Sequence, residues 1–325
     1  MDFIPENKKF KNSPETNLEI GISAKPFLKW AGGKGQLLNT FLKYYPEELI
    51  TKKISNYYEP FVGGGAVFFD IAQRFDIQSA FLFDINEELI LTYRVVQKDV
   101  FKLIDFLEHY KKEYNDLNDK EQSDFFYKLR QDFNQQRDKI NFNRYSESWI
   151  FRAAQTIFLN KTCFNGLFRF NSKGGFNVPK GRYKNPKILD VQNLLKVSKL
   201  LSIADIKKAD FKEVEKKIKH EAFVYYDPPY RPISKTSSFT SYSKNGFTDS
   251  DQIEVAAMFQ RLHLKGVKQM LSNSDPKNNN EDDNFFDELY KSHRIFRVPA
   301  RRMINSNATR RNAINEIVVT NYLVN

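Results

Sequence analysis

Asp227-Pro228-Pro229-Tyr230 follows directly on the apolar run Ala222-Phe223-Val224-Tyr225-Tyr226. The run is short, aromatic and branched, which predicts a buried strand. In an open α/β sheet such a strand delivers its C-terminal end to the ligand crevice. The two prolines bar continuation of either strand or helix and fix a rigid, exposed turn. A carboxylate, a backbone carbonyl without a ladder partner and an aromatic face are thereby brought to one rim. That combination can hold a planar base by its exocyclic amine. Taken alone, the four residues also fit a strand that ends in a proline turn, with Tyr230 packed on the surface.

A second group of residues suits a nucleoside. Tyr57-Tyr58-Glu59-Pro60-Phe61-Val62 reads as a strand running into Gly63-Gly64-Gly65, with a helix from about Ala66. Glycines here let the backbone turn tightly and approach a ligand. Ala80-Phe81-Leu82-Phe83 is the next strand, and it ends on Asp84. An acidic residue about 20 residues beyond the glycines can accept hydrogen bonds from ribose hydroxyls. The pyrophosphate fingerprint is incomplete, and Gly32-Gly33-Lys34-Gly35 lacks the spacing and hydroxyl of a P-loop. The expected ligand is therefore a nucleoside without a pyrophosphate. S-adenosylmethionine fits, with Trp30 and Phe61 packed around it and Lys34 paired with its carboxylate.

These groups need a scaffold. Strand, glycine turn, helix and strand predict a parallel sheet. Residues Met1 to Ala24 are polar and irregular, a tail, and a helix opens at Gln36-Leu37-Leu38. From about Glu88 to Asn143 the chain is helical and highly charged, and Trp149 to Leu159 is apolar at helical spacing. A polar, basic, glycine-rich stretch covers Asn160 to Lys187. The α/β pattern resumes near Ile203, with further strands at Val267 to Leu271, Arg294 to Val298 and Ile314 to Tyr322. The expected division is a tail at 1–24, a catalytic domain at 25–87 and 193–325, and an inserted recognition domain at 88–192 with a hairpin near 160–182.

The 325 residues carry a net charge of +11, which suits a polyanionic partner, and 41% hydrophobic residues, enough to bury a core. Thirty Phe and 16 Tyr supply rings for base stacking, although most must be core. The single cysteine, Cys163, excludes an internal disulfide and a zinc-type cysteine cluster. The polar N-terminus shows no signal peptide, and no apolar run approaches a membrane span, so a cytoplasmic protein is expected.

Together these segments resemble the adenine-N6 DNA methyltransferases of the Dam type, which methylate GATC. The likeness covers nearly everything after residue 25. It rests on Phe27-Leu28-Lys29-Trp30-Ala31-Gly32-Gly33-Lys34, Glu59-Pro60-Phe61-Val62-Gly63-Gly64-Gly65, Asp84-Ile85-Asn86 and Asp227-Pro228-Pro229-Tyr230. Gly181-Arg182-Tyr183, Phe239-Thr240-Ser241-Tyr242 and Ser272-Asn273 extend it, and the order of the motifs is that of the alpha class. The resemblance implies an α/β, Rossmann-like sheet of seven strands, mostly parallel with one antiparallel, and an inserted, largely helical target-recognition domain. It implies that Trp30, Lys34, Phe61, Gly63, Gly65, Asp84 and Asp227 line the S-adenosylmethionine site. Asp227, Pro228 and Tyr230 would carry the chemistry on an adenine flipped from double-stranded DNA, without a metal. Lys29, Phe164, Asn165, Leu167, Arg169, Pro179 and Arg182 would touch the DNA. Among them Arg169 would read guanine, Phe164 would intercalate, and Leu167 and Pro179 would meet a thymine methyl. Lys161, Lys173, Lys180 and Lys184 would join Arg182 at phosphates, or merely solubilise a loop. Ser234–Asn245 would form a flap, and Arg301 and Arg302 would meet phosphate. The enzyme is expected to act as a monomer, either beside a cognate restriction endonuclease or as a marker of DNA for repair and replication.

Three other readings compete. A glutamine- or RNA-modifying methyltransferase can share the proline turn, but often has Asn where this chain has Asp227. A silent DNA-binding regulator would not need every catalytic position intact. A nicotinamide dehydrogenase would need a complete pyrophosphate loop.

Overall fold

The computed structural model describes residues 23–171, 174–231, 246–300 and 314–324. Ser234–Asn245, Lys173, Arg301 and Arg302 lie outside the described residues, as do residues 1–22 of the expected tail. Ala24 is already core: it is buried, and its backbone amide and carbonyl both bond the side-chain amide of Gln73, at 2.6 and 3.1 Å. The packed chain thus begins before the boundary expected at residue 25.

Among the described residues seven strands form one sheet: β1 (Asn56–Glu59), β2 (Ser79–Asp84), β3 (Ala204–Lys208), β4 (Ala222–Tyr226), β5 (Lys268–Ser274), β6 (Arg294–Ala300) and β7 (Ile314–Thr320). Their order is β3-β2-β1-β4-β5-β7-β6. The first five in that order pair in parallel, and β7 runs antiparallel to both β5 and β6. The sheet is therefore the mostly parallel, one-antiparallel arrangement expected from the sequence. The order reverses between β1 and β4, so the crevice outside their C-terminal ends is the place for a ligand. β1 stops at Glu59 instead of running on to Val62, because Pro60 cannot donate to a ladder.

All five residues of β4 are buried, as befits a central strand covered on both faces. Its two tyrosine hydroxyls are satisfied on the neighbouring strand: Tyr225 bonds Ser272 Oγ at 2.7 Å and Tyr226 donates to Gln269 Oε1 at 2.8 Å. Alternation along the strands sends Tyr57, Phe223 and Tyr225 into one core and Tyr58, Val224 and Tyr226 into the other.

The helices cover those faces. They are α1 (Leu38–Phe41), α2 (Glu47–Ile50), α3 (Ala66–Arg74), α4 (Glu87–Lys98), α5 (Val100–Asn115), α6 (Asp119–Gln136), α7 (Ser148–Thr162), α8 (Val191–Leu201), α9 (Glu213–Lys217), α10 (Asp249–Leu264) and α11 (Phe285–Leu289). The helix expected at Gln36 opens instead as a 3-10 turn at Lys34–Gln36. The side chain of Asn86 caps α4, and Asn118 with Glu121 forms a capping box at α6. α4, α5, α7 and α8 share one continuous core with Tyr57, Phe223 and Tyr225 of the sheet. These helices are thus packed directly onto the sheet.

A buried ion cluster reinforces that junction. Arg152 of α7 donates to Glu88 Oε2 at 2.9 Å, and Arg137 donates to Glu88 Oε1 at 2.8 Å and Glu87 Oε1 at 2.6 Å. Both glutamates sit in the first turn of α4, where its dipole favours negative charge.

Candidate active site

Three carboxylates stand at the C-terminal ends of three adjacent strands: Asp84 on β2, Glu59 on β1 and Asp227 just past β4. Glu59 is buried and accepts the Tyr57 hydroxyl at 2.7 Å. Burial pushes its carboxyl well above the usual range, with the charges of Asp227 and Asp84 adding to the effect. Asp84 accepts the backbone amides of Gly63 at 3.1 Å and Asn86 at 2.9 Å. Burial still carries it up to about 6. Asp227 is likewise pushed up to about 6 by burial, although Lys34 pulls the other way.

Lys34 is the cation among these groups. Its residue is only 3% exposed, and its ammonium donates to Asp227 Oδ1 at 2.6 Å, Gly32 O at 2.9 Å and the Tyr230 hydroxyl at 3.1 Å. Burial alone would lower its pKa, but Asp227, with Tyr230 and Glu316 behind it, holds it above the ordinary lysine value. An ammonium has three N–H bonds, and all three are spent on protein. In this arrangement Lys34 meets the site through Asp227.

Tyr230 is 38% exposed, yet its hydroxyl is anchored inward, accepting from Lys34 and donating to Glu316 Oε1 at 2.8 Å. One ring is therefore offered to solvent with its polar end fixed. Pro229 O is taken by Gln252 Nε2 at 2.8 Å, whereas the Pro228 carbonyl accepts nothing among the described residues. Beyond the motif, Arg231 is clamped by both carboxylate oxygens of Asp249, at 2.8 and 2.9 Å, and by Asp283 at 2.6 Å. The proline turn is thus pinned on both sides.

Gly63 has φ +45°, and a Cβ there would lie 2.9 Å from Cδ1 of Trp30. Only glycine lets the indole lie against this turn. Gly65 N-caps α3, and its amide donates to Val62 O at 2.7 Å. Phe61 stacks on Phe211 at 5.4 Å and meets Phe247 edge-on at 5.7 Å. Trp30 also faces Phe168 of the basic segment at 5.9 Å.

That segment is an irregular hairpin. α7 runs on to Thr162, and beyond it antiparallel pairing among the described residues is limited to two bridges, Cys163 with Lys180 and Phe170 with Phe176. Phe168, Phe176 and Val178 are buried, while Phe164, Asn165, Arg169, Pro179 and Arg182 are exposed and Leu167 is half-buried. Phe164 is 49% exposed, so it is not a core ring. Lys29 is exposed beside them, with its stem laid across Gly166 (φ +67°), where any Cβ would collide with it. The expected DNA-contacting residues therefore share an exposed, positively charged edge. Burial, and then the charge of Lys29, push the Lys161 ammonium down to about 8.

A profile of D12 class N6 adenine-specific DNA methyltransferases matches residues 30–304. The chain belongs to this family. It is 48% identical over 302 residues to the type II methyltransferase M.MjaIII of Methanocaldococcus jannaschii, covering 93% of this chain and 100% of that protein. It is 40% identical to the type II methyltransferase M1.LlaDCHI of Lactococcus lactis subsp. cremoris, over 93% of this chain and 96% of that one. It is 32% identical to a DNA adenine methylase of Vibrio cholerae, over 90% of this chain and 95% of that one. The Rossmann-like sheet and the adenine-methyltransferase assignment expected from the motifs are both borne out.

A D12 methyltransferase needs a methyl donor, and the residues present fit S-adenosylmethionine. Glu59, Asp84 and Asp227 gather acceptors and negative charge at three adjacent strand ends, which suits a ligand with ribose hydroxyls and two cationic groups. Two carboxylates that bear on this D12 site have no role in the sequence expectations. Glu59 stands inside a motif that assigns it none, and Glu316 lies within the last apolar strand. Its signal is a lone carboxylate between Asn315 and Ile317-Val318-Val319. Asn160 likewise has no expected role, yet it is fully buried and bonds the backbone amide and carbonyl of Lys29, each at 2.8 Å, and Gly166 O at 3.1 Å. Among the described residues no helix is long and apolar enough to cross a membrane.

Proposed function

We propose that the protein transfers a methyl group from S-adenosylmethionine to N6 of an adenine flipped out of double-stranded DNA, within GATC. The observation that carries the reading is the convergence at the switch point. There the Asp227 carboxylate, the Pro228 carbonyl left open among the described residues, and the exposed face of Tyr230 fall within four consecutive residues. The adenine amine is a poor nucleophile because its lone pair is delocalised into the ring. Asp227 and the Pro228 carbonyl each accept one of its N–H bonds, which draws the nitrogen towards tetrahedral geometry and aims the lone pair. Asp227 also stabilises the positive charge that develops on nitrogen and stands ready to take the released proton. Tyr230 stacks on the extruded base, offsetting a few kcal/mol of unstacking by roughly 1–3 kcal/mol. Bound S-adenosylmethionine supplies an electrophilic methyl on a sulfonium that departs as a neutral thioether. Trp30, Phe61, Gly63, Gly65 and Asp84 hold it, and Lys34 orients Asp227.

Residues 88–192 form the target-recognition domain on a catalytic domain of 25–87 and 193–325. Arg169 reads guanine by a bidentate contact, Asn165 touches a base, Leu167 and Pro179 meet the thymine methyl, and Phe164 wedges into the stack. Lys29 and Arg182 contact phosphate. The GATC assignment rests on the Dam-type resemblance of the segment at 160–169. The type II naming of two relatives supports a place beside a cognate restriction endonuclease, with the enzyme acting as a cytoplasmic monomer.

The test is to incubate duplex DNA with the protein and S-adenosylmethionine, then challenge it with an endonuclease that cuts only unmethylated GATC. Resistance, with N6-methyladenine found at that site by sequencing, is expected. Methyl incorporation into DNA that remains fully cleavable would refute the target. No incorporation into adenine at all would refute the reaction.

A further inference from the structure

We propose that Glu316 is a positioning residue of the transfer site, acting through the Tyr230 hydroxyl. The inference rests on the reading of Tyr230 as the stacking face. Glu316 lies on β7, the antiparallel strand, opposite Ser274 on one side and Val298 on the other. It is 8% exposed, and the three residues after it are fully buried and apolar. A carboxylate in such a strand needs partners. Oε1 accepts the Tyr230 hydroxyl at 2.8 Å, and Oε2 lies 3.8 Å from the Lys34 ammonium with no hydrogen bond of its own among the described residues.

A phenol has one donor and one principal acceptor direction. Lys34 fills the second and Glu316 the first, so Tyr230 is held at its rim while its ring stays open. Asp227, at the end of a strand two places from β7 in the sheet order, shares the same lysine. The strand that breaks the parallel pattern thereby contributes a charged anchor to a site otherwise built from parallel strand ends. A ring fixed before the base arrives is pre-organised for stacking, so little ordering is left for the reacting complex.

A double-mutant cycle in methyl transfer to duplex DNA tests this, with DNA affinity measured separately. Glu316→Ala is expected to lower kcat about 10- to 100-fold, in line with leaving the Tyr230 hydroxyl without its acceptor, while DNA affinity stays within about threefold. Glu316→Gln retains an acceptor for the hydroxyl and should recover most of the loss. Tyr230→Phe should lower kcat similarly, and adding Glu316→Ala to it should cost no more than about threefold further. Additive losses, or Glu316→Gln as impaired as Glu316→Ala, would overturn the inference. If Glu316→Ala fails to fold, Tyr230→Phe decides: wild-type kcat overturns it, and a reduced kcat with intact DNA affinity supports it. Failure of the underlying reading shows differently, as no adenine methylation by the wild-type protein.

Discussion

The Lys34 ammonium lies 2.6 Å from Asp227 Oδ1, with the lysine side chain 2% exposed and the aspartate side chain 20%. The pair spans the site from the glycine loop ahead of α1 to the end of β4. Its geometry explains how a half-buried carboxylate is kept in place beside two others. Removing one member of a buried pair leaves the other charge uncompensated, at a cost of about 3–5 kcal/mol. Lys34→Met is therefore expected to lower unfolding stability towards the lower end of that range, since Asp227 retains some solvent and can take up a proton. Methyl transfer should be lost at the same time. Urea unfolding at pH 8 checks the first point, and an unchanged midpoint would mean that the pair is not structural.

The pH dependence follows from Asp227 and Asp84. Both carboxyls are raised from an ordinary 3.8 to about 6, in each case chiefly by burial. A raised carboxylate favours the native state below its unfolded value, and that contribution is lost as pH rises through 6. Catalysis runs the other way, because only ionised Asp227 can accept the amine. We expect kcat/KM to climb along an acid limb with an apparent pKa near 6, a property of the coupled groups and not of one residue. A profile flat between pH 5 and pH 8 would contradict this.

Tyr230→Ala removes the stacking face and should cost roughly 1–3 kcal/mol, or about 5- to 150-fold in kcat/KM. The alanine variant also takes the hydroxyl from Lys34 and Glu316, so Tyr230→Phe, which keeps the ring, serves as the control for stacking. Placing 2-aminopurine at the target position reports the extruded base by fluorescence. The wild-type protein should quench an unstacked 2-aminopurine that the alanine variant leaves bright. Equal emission from both would argue against stacking by Tyr230.

Much of the site is legible in the sequence alone. β4 with its proline turn, and Gly63 to Gly65 ahead of α3, follow from local rules, because strands, turns and caps are set by residues close in sequence. Partnerships across the sheet are not local. Glu316 reaches Tyr230 only because β7 inserts antiparallel between β5 and β6, and no periodicity announces that pairing. Lys34 illustrates the converse. Its place in the site is legible, but two of its three acceptors are not, because Asp227 and Tyr230 stand 193 and 196 residues further along the chain. The basic segment reads as a hairpin from its composition, yet among the described residues its pairing is limited to two bridges around the clustered rings of Phe168, Phe170 and Phe176.

Arg169 and Arg182 should separate reading from holding. Arg169 is exposed, with one long bond to Asn177 Oδ1 at 3.3 Å, so it can turn to a base without breaking the fold. Arg169→Ala should cost about 1–3 kcal/mol and relax discrimination at one guanine. Arg182→Ala should weaken all duplexes alike and reduce the salt slope by about 1. Competition among singly substituted sites at two salt concentrations distinguishes the two. An Arg169 variant that keeps full guanine discrimination would remove it from the readout.

Asn160 ties the segment ahead of the first glycine turn to the hairpin. Its amide holds the backbone of Lys29 in both directions and the carbonyl of Gly166. Lys29 precedes Trp30, which packs on Gly63, and Gly166 is the floor on which the Lys29 stem lies. A shift of this amide would therefore be felt at the hairpin and at the indole together. Asn160→Ala leaves one N–H and two carbonyls without their partner in a buried setting, where an unmade bond costs about 1–3 kcal/mol. Water cannot readily replace it, since Asn160 is fully buried. We expect a loss of stability of at least one such increment, together with weaker binding of both duplex DNA and S-adenosylmethionine. Thermal unfolding and separate titrations with each ligand measure the three quantities. If DNA affinity alone falls, the amide serves the hairpin only, and the link to Trp30 is not functional.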